Sequence, residues 1–169
     1  MLINIQNFIN LIHQLVNHLQ QVSEISYSEK LSLFGGSSIG EHVRHIYNFP
    51  ECLLKGIQSG KVNYDNRTRD TKLETNRDYA IRTLLDQADY ILNLNHYMNR
   101  QLILETGLTI SNPTQINTNL ERELHYITEH TIHHMAILRM GFNFHFPDMK
   151  IEESFGFAYS TIEYKNLSK

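Results

Sequence analysis

Residues 37–49 read SSIGEHVRHIYNF and residues 129–141 read EHTIHHMAILRMG. These stretches decide the fold, because each sets histidines into a helical repeat of apolar positions. Ser38 with Glu41 three residues on is a capping-box pattern, and Val43, Ile46, Phe49, Leu53 and Leu54 follow at 3–4 spacing until Ser59-Gly60 stops the helix. In the second stretch Ile127, His130, Thr131, His134 and Leu138 share one face, opened by the capping-box pair Thr118 and Glu121 and closed at Gly141. His130 and His134 therefore stand about 40° apart around the axis and about 6 Å along it, close enough for two imidazoles to share one ion.

Two further helices complete the pattern. Ile5, Phe8, Ile9, Ile12, Leu15, Val16, Leu19 and Val22 form an apolar stripe near the start, and Ile81, Leu84, Leu85, Ala88, Ile91 and Leu92 form another. The reading is an all-α four-helix bundle in a single domain 1–169. Its helices span about 2–25, 38–59, 77–99 and 118–141, and residues 142–169 form a tail with aromatic anchors. Pro50 removes a backbone donor inside the second helix and predicts a kink or restart there. Residues 101–117, broken by Thr-Gly and Asn-Pro, read as a short β-hairpin hung off the bundle.

The polar connection 60–76 sets the topology. His45 lies about 10 Å into its helix from the Ser38 cap, and His134 lies about as far from the other end of the fourth helix. These depths match only if the second and fourth helices run antiparallel. Seventeen residues can span about 50 Å, enough to return along the second helix and start the third in the same direction. The expected order is up-down-down-up, with a long crossover between helices 2 and 3.

Four of the ten histidines fall within HYITEHTIHH, residues 125–134. A lone His-x3-His pair is more often a core pair bonded to neighbouring carboxylates than a metal site. A second pair, His42 and His45, near the start of another capped helix shifts the balance by offering a third ligand. Three neutral imidazoles with open positions suit Zn, Ni or Fe. His42 and His133 adjoin ligands and read as groups that orient them or as surface residues. His125 faces elsewhere, and Glu41, Glu51 and Glu129 are weaker candidates for orienting rings or acting as a base.

The motifs SSIGEHVRHIYNF and EHTIHHMAILRMG resemble the DinB-like superfamily of bacterial metal-binding bundles, which includes YfiT-like and bacillithiol-transferase-like proteins. The resemblance covers most of the chain. It implies one metal ligand from the second helix and an H-x3-H pair from the fourth, matching His45, His130 and His134, with Zn or Ni as the cofactor. It also implies a metal-dependent transferase or hydrolase, in which activated thiol or water attacks a small electrophile and a low-molecular-weight thiol is one partner. This chain departs from the pattern at Met135-Ala136, where many relatives carry Arg-Gly, and at Pro50, so only the metal ligands carry over and no catalytic base is assigned. The alternatives are a non-catalytic helical bundle that binds a metal or ligand, and a metal-free bundle with core histidines.

Other features narrow the classes. A formal charge of −3 over 169 residues, with 20% charged, gives no basic face for nucleic acid. The apolar start is interrupted by Asn and Gln and lacks a basic leader, so it reads as a mature helix and not as a signal or a membrane span. The single cysteine, Cys52, cannot pair internally, which makes cytoplasm the expected compartment and a buried thiol its expected role. Arg67 and Arg69, in NYDNRTRD, are candidates for holding an anionic substrate over the metal mouth. The competing reading pairs them with Asp65 or Asp70 to fix the crossover. A small molecule is the expected partner, and a homodimer is an open assembly.

Overall fold

The computed structural model describes residues 2–94, 99–107 and 114–167. Helix α1 (Leu2–Leu19) is followed by a short α2 (Glu24–Ser28), then by strands β1 (Lys30–Leu31) and β2 (Ser37–Ser38) around a 3-10 turn at Ser32–Phe34. Helix α3 (Ile39–Ser59) leads into β3 (Lys61–Val62), α4 (Thr71–Thr75) and α5 (Arg77–Leu92). Strands β4 (Gln101–Thr106) and β5 (Thr114–Asn119) precede the long α6 (Leu120–His145), and α7 (Tyr159–Leu167) follows.

The all-α four-helix reading is overturned, because among the described residues seven α-helices are joined by five strands in two sheets. Strands β1 and β2 pair antiparallel, while β3, β4 and β5 form a sheet in which Lys61 faces Ile103 in parallel register and Gln101 faces Asn119 in antiparallel register. The connection 60–76 is thus not a plain crossover. It donates a strand and a helix, and Val62 and Leu102 bury fully against the helices. Gly56 permits this: a Cβ there would lie 2.4 Å from Cγ2 of Val62, inside van der Waals contact.

The element ends also differ. The first helix stops at Leu19 and not near 25, since Ser23 caps a separate helix by accepting from the Ser26 amide. Pro50 neither stops nor restarts α3. The third helix is described to Leu92, and residues 95–98, within its expected 77–99 span, lie outside the described residues, as do residues 108–113 of the segment expected to form a hairpin. Asn119, not Thr118, caps α6, which continues past Gly141 to His145. The expected tail contains α7 and returns Phe155 to the core.

One apolar core joins α1, α3, α5 and α6. Phe8, Ile12 and Leu15 of α1, Ile46 and Leu53 of α3, Leu84 of α5, and Leu124, Ile127 and Leu138 of α6 are all fully buried. At about 25 cal/mol per Å² of apolar surface, burial of this kind dominates the stability of the helices. Helices α3 and α6 run antiparallel, as the pairs His42–His134, His45–His130 and Phe49–Tyr126 descend along both. Helices α3 and α5 run in the same direction: Tyr47 and Tyr79 line one cavity, and further along both helices Ile57 and Tyr90 line another. Among the described residues no helix is long and apolar enough to cross a membrane.

Candidate metal centre

The capping box at the start of α3 is complete: Ser38 accepts from the Glu41 amide, and Glu41 accepts from the Ser38 amide at 2.8 Å. It fixes the first turn, so His42 and His45 leave the helix toward α6. There His130 and His134 project from successive turns to meet them.

His45, His130 and His134 each offer one ring nitrogen, and these atoms lie within 4.8 Å of one another. The Nε2 atoms of His45 and His130 are 2.9 Å apart. A tetrahedral zinc with bonds of about 2.0–2.1 Å spaces its ligand nitrogens about 3.3 Å apart, inside that range. Among the described residues no fourth His, Cys, Asp or Glu joins the group, so the donor set is three imidazoles.

The rings sit at the edge of the core and do not replace core residues, since all three are half-buried while Ile127, Thr131 and Leu138 beside them are buried. Burial chiefly, then neighbouring rings and Arg67, lowers the pKa of His45 from its ordinary value to about 4. Burial, then His133 and Arg67, lowers that of His130 to about 4, and burial with the surrounding histidines lowers that of His134 to about 3. All three rings are thus neutral at pH 7, the form in which imidazole donates a lone pair to a metal.

His42 places Nδ1 3.3 Å from Nδ1 of His134. That contact leaves Nε2 of His134 for an ion and lets His42 fix its orientation. His133 is exposed and only flanks the cluster, with its ring 5.3 Å from that of His134. His125 is exposed on another face. Glu41 is held by its cap and by Lys30, Glu51 pairs with Lys55, and Glu129 is exposed. Cys52 is buried in α3, with its thiol pKa raised by burial and by Glu51, which makes it a poor nucleophile.

Arg67 comes to the cluster, with Nη1 3.3 Å from Nδ1 of His45 and its guanidinium 5.3 Å from the centre of the Phe49 ring. Arg69 is exposed. Among the described residues neither arginine forms an ion pair with Asp65 or Asp70, so the structural pairing weighed for them is absent.

Sequence reading missed Phe49, Tyr64, Tyr126 and Glu123. The Phe49 ring stacks on His130 at 3.8 Å and on Tyr64 at 5.1 Å. Tyr64 donates to Glu123, a fully buried carboxylate that also accepts from Thr118 and Arg122. Burial and this carboxylate push the Tyr64 phenol well above its ordinary pKa. The signal was register: Glu123 lies seven residues before His130, on the same face of α6.

Cavities flank the cluster. One of about 220 Å³ is bounded by Ser37, Glu41, His42, Arg44, His45 and His134. Another of about 210 Å³ lies beyond Phe49, between β4 and α6. Comparison with protein-family models, curated proteins and solved structures finds no match to this chain.

Proposed function

We propose that the protein binds one divalent transition ion, zinc or nickel, on His45, His130 and His134, and uses it to activate a thiol or water for attack on a small electrophile. The observation that carries this reading is the convergence of three neutral imidazoles from two helices, with no fourth protein ligand among the described residues. Three ligands leave a position for an exchangeable group, as catalytic zinc requires, whereas structural zinc is normally closed by four. An ion held there lowers the pKa of a bound water or thiol and supplies the nucleophile at neutral pH.

The choice of thiol or water rests on the motif-level resemblance to DinB-like proteins, carried by SSIGEHVRHIYNF and EHTIHHMAILRMG, which is itself part of the proposal. In this reading His42 orients His134, and Arg67 stands beside the nucleophile. The protein works in the cytoplasm, where a lone buried cysteine meets no demand for a disulfide.

Metal analysis of untagged protein should find one ion per chain. Cobalt substituted for it should show a visible spectrum that changes when 2-mercaptoethanol is added, because thiolate is a strong ligand for such ions. A chain that takes up no stoichiometric metal is not a metalloenzyme. One whose cobalt spectrum ignores thiol is not a thiol transferase, and hydrolysis then stands as its chemistry.

A further inference from the structure

The cavity beyond Phe49 holds an arginine whose surroundings suit a ligand. Arg67 is half-buried, its guanidinium lies against the Phe49 ring and a nitrogen of His45, and it meets no carboxylate among the described residues. The second guanidinium on the cavity wall differs, since Arg122 is bound to buried Glu123 at 2.7 Å. Arg67 therefore offers donors to an anion, and a guanidinium fork matches a carboxylate in a bidentate pair.

The aromatic and aliphatic part of the wall is held in place. Tyr64 is fixed by its bond to Glu123 and stacked on Phe49, Tyr126 lies 5.3 Å from Tyr64 ring to ring, and Leu104 of β4 closes the far side. A volume of about 210 Å³ is below the common range of about 300–1,000 Å³ for ligand pockets, which limits the occupant to roughly one ring. Asp65 lies on the same wall, so the carboxylates of Asp65 and Glu123 balance the guanidiniums of Arg67 and Arg122. That balance disfavours a multiply charged anion such as phosphate and suits a monoanion, bound by directed hydrogen bonds.

We infer that this cavity is a substrate subsite for small aromatic monocarboxylates, with the carboxylate on Arg67 and the ring against Tyr126 and Leu104. It deepens the metal reading, on which its role as a substrate site rests. The Phe49 ring, which lines the cavity and stacks on His130 at 3.8 Å, is the one-ring partition between this subsite and the histidine cluster.

The test is benzoate binding to the full chain, metal-free and zinc-loaded, followed by calorimetry and ligand-observed NMR beside zinc stoichiometry on the same samples. Benzoate should bind saturably, more tightly than benzyl alcohol or phosphate, and Arg67→Gln should weaken it by about 10- to 100-fold, the equivalent of a charge-assisted hydrogen bond. Arg69→Gln should change affinity by less than about twofold, as an exposed charge outside the cavity does. Tyr126→Ala, at a partly exposed position that leaves the core intact, should weaken benzoate and benzyl alcohol together. Equal affinity for benzoate and benzyl alcohol, or unchanged benzoate affinity in Arg67→Gln, overturns the subsite. Zinc uptake without benzoate binding also removes the subsite and leaves the metal reading standing. Benzoate binding lost in Arg67→Gln but without zinc uptake supports the subsite and removes the ion.

Discussion

At the scale of single residues, the candidate site is a question of which ring nitrogen is free. His45, His130 and His134 converge, so alanine at any one leaves two imidazoles and should abolish stoichiometric metal binding, while His125→Ala and His133→Ala retain it. Equilibrium dialysis against zinc decides this, and full metal content in a His45→Ala sample would remove that residue from the site. His42 contacts His134 and lies outside the three-imidazole group, so His42→Ala should keep one metal site and weaken it by about 10- to 100-fold, the usual effect of losing a group that orients a ligand. The depressed imidazole pKa values set a pH dependence. The unfolded chain takes up protons on these rings near pH 6.5, whereas the folded, metal-free chain takes them up only near pH 4 and below. Below pH 6.5 the unfolded state binds more protons, so stability should fall as pH drops from about 6.5 toward 4 and be fully present above that window. Urea midpoints across the range check the sign, and a triple His→Phe variant should flatten the slope.

At the scale of elements, legibility followed length. The long helices announced themselves through sustained 3–4 apolar spacing, and the complete capping box at Ser38 is one that two residues in the sequence already specify. Strands β1, β2 and β3 have two residues each, too short for an alternating pattern, and they form only because helices and glycines bring the backbone edges together. The same limit explains Thr118: its hydroxyl is drawn to buried Glu123, a contact across the end of β5 that spacing cannot reveal, and Asn119 caps α6 instead. The histidine spacings were readable because they lie within single helices. The aromatic wall was not, because it joins α3, the chain after β3, and α6. Close packing between elements makes a direct prediction. A Cβ on Gly40 would meet the Glu74 carbonyl at 2.0 Å, where α4 crosses the start of α3. Gly40→Ala should therefore destabilise by about 1–3 kcal/mol, the range for overpacking, and chemical denaturation measures it. An unchanged midpoint would mean that α4 does not sit against α3 as described.

At the scale of the whole molecule, the three histidines proposed as metal ligands bring together parts of the chain that are far apart in sequence. His45 and His130 are 85 residues apart in sequence, and between them lie the sheet β3–β5 and α5, which supply none of the three histidines. An ion that binds only the folded arrangement stabilises it by mass action, about 2.7 kcal/mol when free zinc is at 100 times its dissociation constant. For a chain of this size that corresponds to a rise in melting temperature of about 5–10 °C. The gain should also be unevenly placed. Amide exchange should slow most along α3 and α6, which carry the three histidines, and least in the β4–β5 pair, whose hydrogen bonds can open without disturbing them. The measurement is a pair of melting and hydrogen-exchange experiments with and without zinc, repeated on His45→Ala. The variant should show neither the rise in melting temperature nor the added protection. A zinc-dependent rise that survives His45→Ala would place the bound ion elsewhere and sever the link between the histidine cluster and the stability of the fold.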